Sequence, residues 1–79
     1  MEFPRPHIDA RMGYKGEETP YALTLDGVRL TVLEIVKRWY TETHCCFRVQ
    51  ASDGQRYVLR YDLDQERWEL VMKERVQEK

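Results

Sequence analysis

The chain has 79 residues, 42% of them hydrophobic and 34% charged, with a formal charge of -1; that is enough for one small core and excludes a second. So even a balance writes no strong attraction to nucleic acid or anionic lipid into the composition. No stretch approaches the roughly 18 apolar residues of a membrane helix, and Met1 to His7 places prolines and charges where a signal peptide needs an apolar run.

Residues 1–20 read as a flexible N-terminal tail, with Pro4, Pro6, Pro20, Gly13 and Gly16 and no period of 2 or 3.6. Ile8 to Met12 has room for one helical turn but lacks a cap. The small β domain is expected over 21–72, beginning at Tyr21. Tyr21, Leu23 and Leu25 alternate, Asp26-Gly27 is a strong hairpin signal, and Val28, Leu30 and Val32 continue the alternation. A two-residue turn sets Leu25 opposite Val28, Leu23 opposite Leu30 and Tyr21 opposite Val32, so every apolar residue meets an apolar one.

Residues 31–40 are ambiguous: Val32, Ile35, Val36 and Trp39 fall at helical spacing, while the Val, Leu, Ile, Trp and Tyr content favours a strand. As a strand, residues 28–40 would run for about 43 Å at roughly 3.3 Å per residue. Such a strand must bend, and the parity shift after Val32 marks a bulge.

His44 to Ala51 alternates, with Cys45, Phe47 and Val49 on one face. At Ser52-Asp53-Gly54 a three-residue loop with Gly54 left-handed pairs Phe47 with Leu59 and Val49 with Tyr57, whereas a two-residue turn would set Phe47 beside Arg60. The last hairpin, turning at Leu63 to Glu66, sets Tyr61 opposite Trp68, Leu59 opposite Leu70 and Tyr57 opposite Met72. Residues 73–79 read as a polar tail or frayed helix. The expected fold is all-β: a five-stranded antiparallel meander curled into a small SH3-like or partly open barrel. Its core would hold Leu23, Leu25, Leu30, Val32, Ile35, Trp39, Phe47, Val49, Tyr57, Leu59, Trp68 and Leu70.

With these strands placed, the pattern Gly27, then Val32, Ile35 and Trp39, then Phe47-Arg48-Val49, Gly54, Tyr57-x-Leu59-x-x-Asp62 and Trp68-x-Leu70 resembles a small bacterial domain of unknown function. That domain occurs alone or near the C-terminus of Y-family DNA-polymerase-like proteins. The resemblance covers about residues 21–72 and implies an accessory role near DNA repair, with no catalytic residue to carry over. Relatives have a longer connection after the second strand than Thr41-Glu42-Thr43 supplies here.

Candidate chemistry is sparse. Cys45 and Cys46, the only cysteines, are adjacent and point to opposite strand faces, Cys45 inward and Cys46 outward, so they build neither a disulfide nor a paired metal site. Reduced thiols suit a cytoplasmic location. His44 and Cys46 share a face and offer two ligands where structural zinc takes four, and His7 is the only other histidine. Nor is a third group in sight to orient a Cys-His nucleophile pair. Asp62, Asp64 and Glu66 have the spacing of a calcium loop, but Arg67 replaces its glycine and Lys73 its final glutamate. No metal, cofactor or enzymatic activity is expected.

Arg29, Arg48, Arg56 and Arg60, with Tyr40 as a stacking surface, form the candidate interaction face; with aromatics, such a strip suits single-stranded nucleic acid. Residues 21–72 nevertheless hold 7 Lys and Arg against 8 Asp and Glu. The expectation is a non-enzymatic module that docks a protein partner through a sheet edge or its outer face, with single-strand binding as the alternative. An arginine strip free of Glu34 and Glu69 would favour the alternative. No membrane partner is expected, and a core this small leaves self-association open.

Overall fold

The computed structural model describes residues 6–12 and 18–74. Among these residues six strands, β1 (His7–Met12), β2 (Glu18–Leu25), β3 (Val28–Tyr40), β4 (His44–Ala51), β5 (Arg56–Asp62) and β6 (Arg67–Glu74), follow one another without a helix. They pair as an antiparallel meander in chain order and curl into a half-barrel. Among the described residues no helix is long and apolar enough to cross a membrane.

The first hairpin follows from its turn. Asp26 and Gly27 have φ of 49° and 80°, the positive pair that lets a two-residue turn match strand twist. Leu25 therefore faces Val28 and Leu23 faces Leu30. The ladder stops at Ala22 and Thr31, so Tyr21 does not pair with Val32. Instead β3 changes partner there, and from Val32 to Tyr40 it pairs with β4. Thr31 and Ser52 hold the change-over: the Ser52 amide donates to the Thr31 carbonyl at 2.9 Å, and the Thr31 amide to Ser52 Oγ at 3.0 Å.

Residues 31–40 are a strand, bent by register shifts between Val32 and Glu34 and again between Ile35 and Lys37. Each shift inserts a residue and reverses the faces that follow. Ile35 stays inward opposite Val49, but the second shift turns Trp39 outward, opposite Cys46. Trp39 is thus not part of the core: a single bulge would have kept it inside, and the chain has two.

The second loop takes the three-residue form. Gly54 has φ of 83°, its amide donates to the Ala51 carbonyl at 3.1 Å, and Phe47 meets Leu59 while Val49 meets Tyr57. In the last hairpin Tyr61 faces Trp68 and Leu59 faces Leu70, but a bulge then sets Tyr57 opposite Lys73 and Val58 opposite Met72. Met72 consequently lies on the outer face, where it is exposed.

The larger difference is at the N-terminus. His7–Met12, assigned above to a tail with a turn of helix, is a strand paired along β2, with Ile8 opposite Leu23. Six residues carry little propensity of their own, and burying Ile8 beside Leu23 while pairing the open edge of β2 decides their conformation. Pro20, buried where this ladder shifts register, needs no amide there. The terminal residues 1–5 and 75–79, and the glycines of 13–17, lie outside the described residues.

The core unites Ile8, Leu23, Leu30, Phe47, Val49, Ala51, Tyr57 and Leu59, with Leu25, Val32, Ile35, Cys45, Trp68 and Leu70 packed against them. All of the expected core is there except Trp39, and Ile8, Cys45 and Ala51 add to it. At about 25 cal/mol per Å² of apolar surface removed from water, such inward side chains supply the main drive to fold.

Candidate interaction site

β6 pairs only with β5, and β1 only with β2. The two terminal strands approach one another, but no ladder joins them among the described residues. A cleft of about 480 Å³ is lined by Pro6, the first hairpin, Asp53, Tyr57 and β6. Its apolar wall comes from Leu25, Val28 and Leu30 on the first hairpin and Leu70 on β6. A second cleft, of about 320 Å³ and lined by Arg67, Trp68 and Glu69, shares Pro6 and Leu70 with the first. Between them the two clefts touch Arg67, Trp68, Glu69, Leu70 and Lys73 of β6.

The polar groups of the larger cleft come from the turns and from the end of β6. Asp26 belongs to the first turn, Asp53 to the second, and Lys73 extends from β6. Tyr57, fully buried otherwise, donates its hydroxyl to Asp53 Oδ2 at 2.5 Å. Burial, reinforced by the hydrogen bond and the charge of Asp53, pushes the Tyr57 pKa up to about 12. Desolvation pushes the Asp53 carboxyl upward, yet the bonds from Tyr57 and the Gln55 amide, with the charge of Lys73, outweigh it and leave the group below its ordinary value. At neutral pH the pair is thus a phenol donating to a carboxylate, with Lys73 Nζ 5.9 Å from the Tyr57 ring.

The expected interaction face is only partly assembled. Arg48, Arg56 and Arg60 lie together on the outer face of β4 and β5. Arg29 does not join them: it is near the first turn and donates to Asp9 of β1 at 2.6 Å. Tyr40 pairs with Cys45 rather than Cys46, which gives it the opposite parity from the three arginines. Arg60 contacts Glu69 Oε2 through Nε and Nη2 at 3.0 and 2.7 Å, Arg48 reaches Glu74 at 2.9 Å, and Arg56 bonds Gln50 at 3.1 Å. The strip is interleaved with acid, Glu69 included.

Cys45 packs against the core but is only half-buried, while Cys46, which faces the other way, is the buried one of the two. Cys46 is only 7% exposed, because β4 is interior to the sheet and Trp39 and Arg60 flank it in register. Desolvation raises its pKa, partly opposed by Arg60. His44 is directly opposite Asp62, with Glu69 near both, a grouping that sequence spacing does not reveal. The cleft residues Asp53, Tyr57 and Lys73 were legible only as a turn, a core position and the start of a tail.

Comparison with protein-family models, with curated proteins and with solved structures finds no match.

Proposed function

We propose that this chain is a non-catalytic interaction module that takes an extended segment of a partner protein into the seam beside β6. The carrying observation is that both clefts are lined by residues of β6, a strand with β5 as its one ladder partner among the described residues. A strand edge offers unpaired backbone groups to an incoming segment, and alternate side chains of that segment would enter the adjoining hollows. Leu25, Val28, Leu30 and Leu70 suit an apolar anchor, while Asp26, Asp53 and Lys73 supply polar contacts at the mouth.

The lining side chains also favour binding over catalysis. Tyr57 is held as a proton donor, with its pKa near 12, and is poorly matched to base chemistry at neutral pH. Single-strand binding receives less support, since Glu69 and Glu74 occupy Arg60 and Arg48. The resemblance of residues 21–72 to the polymerase-associated domain suggests that the partner belongs to DNA repair.

The test is selection of extended peptides from a displayed library on the intact chain, followed by amide chemical-shift mapping. Perturbations at Val28, Leu70 and along β6, abolished by Val28→Glu at the exposed rim, are expected. Peptide binding that leaves β6 unperturbed, or survives Val28→Glu unchanged, rejects the proposal.

A further inference from the structure

We propose that His44, Asp62 and Glu69 form a binding site for a first-row divalent transition metal, with zinc as the reference ion. The three residues lie on three successive strands, β4, β5 and β6, and offer one donor atom each within 4.8 Å of one another. His44 Nε2 and Asp62 Oδ2 are 3.5 Å apart, with side chains only 18% and 14% exposed. That separation is long for a hydrogen bond. It is close to the edge, about 3.4 Å, of a tetrahedron built on metal-ligand distances of about 2.0–2.1 Å.

The stronger argument is how each side chain is held. His44 Nδ1 is 2.7 Å from Thr43 Oγ1; the tautomer that donates to Thr43 presents the Nε2 lone pair to the other two residues. Asp62 Oδ1 accepts the Asp64 and Gln65 amides, each at 2.9 Å, which leaves Oδ2 toward His44. Glu69 is anchored through Oε2 by Arg60 and brings a carboxylate oxygen within 4.8 Å of the His44 and Asp62 donors. Ligands that use one atom for the metal and are oriented through another are a recurring arrangement at metal centres.

The tight connection before β4 keeps His44 in place, because Thr41 Oγ1 accepts the His44 amide at 3.0 Å and the Thr41 amide donates to the His44 carbonyl at 2.9 Å. Of the charged neighbours, Arg60 offsets one of the two carboxylates and Arg67 adds a weaker positive field at Asp62. One imidazole and two carboxylates suit zinc, cobalt or manganese better than calcium, which needs six or more oxygens. A water molecule would complete the shell.

The test is calorimetric titration of the chelator-treated, reduced, intact chain with zinc, and optical titration with cobalt. One ion should bind per chain. His44→Ala and Glu69→Gln, checked for folding by circular dichroism, should each weaken binding by at least about 10-fold, and Thr43→Ala by about 10-fold through loss of orientation. His7→Ala and Cys46→Ala should bind as the parent does. Absence of zinc binding by the parent chain overturns the proposal. So does affinity unchanged in folded Glu69→Gln, or affinity lost in His7→Ala or Cys46→Ala.

Discussion

The hydroxyl of Tyr57 lies 2.5 Å from Asp53 Oδ2, joining the base of the core to the turn between β4 and β5. With its pKa raised to about 12, Tyr57 keeps its proton in the folded chain under conditions where an unfolded tyrosine, near 10, has lost it. Its contribution to stability is therefore complete below about pH 10 and is lost as pH rises toward 12. Tyr57→Phe should cost about 1–2 kcal/mol at neutral pH and should flatten this alkaline loss. Denaturant unfolding at a series of pH values checks both; an unchanged alkaline slope in the variant would remove the bond from the account.

Asp53 behaves in the opposite sense. Its folded pKa is depressed, so its contribution is present above the ordinary carboxylate range and disappears as pH falls through the lowered value. Asp53→Asn should be less stable than the parent at neutral pH and approach it in acid. Thermal midpoints at neutral and acid pH are the measurement, and parallel curves for the two proteins would contradict it.

Gly54, with φ of 83°, has open space where a Cβ would stand. Backbone strain alone then separates substitutions there. Gly54→Val should destabilise by about 1–2 kcal/mol, whereas Gly54→Asn should cost less because Asn tolerates the left-handed region. Equal denaturant midpoints for the two variants would refute the loop geometry.

The two tryptophans make a matched test of β3. Trp68 packs inside against Phe47 and Tyr61, with ring centroids 5.4 and 5.1 Å away, while Trp39 is outside with Lys37 Nζ 5.7 Å from its ring. Trp68→Ala should cost about 3 kcal/mol or more, and Trp39→Ala about 1 kcal/mol. If Trp39→Ala proves as damaging as Trp68→Ala, the second bulge of β3 is misplaced.

The outer arginines give a fifth comparison. The parent chain should bind single-stranded DNA no more tightly than about 10⁻⁴ M at physiological salt. Glu69→Gln with Glu74→Gln frees Arg60 and Arg48 and should produce binding that weakens steeply with salt. A fluorescence titration at two salt concentrations decides it; micromolar binding by the parent would favour the single-strand reading.

Local chemistry was sufficient for three features. Asp26-Gly27 demands φ > 0 at two positions and so determines the register of its hairpin, while the loop ending in Gly54 admits two registers, of which one sets apolar residues opposite apolar ones. Alternation then assigns the core face for as long as no bulge intervenes, which is why Leu23, Phe47, Val49 and Leu59 could be placed inside from residue order alone. Tertiary structure decided what depended on partners distant in sequence. Ile8 has no conformational reason to be extended until Leu23 and the edge of β2 are beside it. Trp39 faces outward because β3 carries a second register shift between Ile35 and Lys37, and one inserted residue reverses the faces beyond it. Placing Asp53, Tyr57 and Lys73 at one mouth, and His44, Asp62 and Glu69 at one point, requires strands to lie side by side in a curled sheet, information that spacing along a chain does not contain.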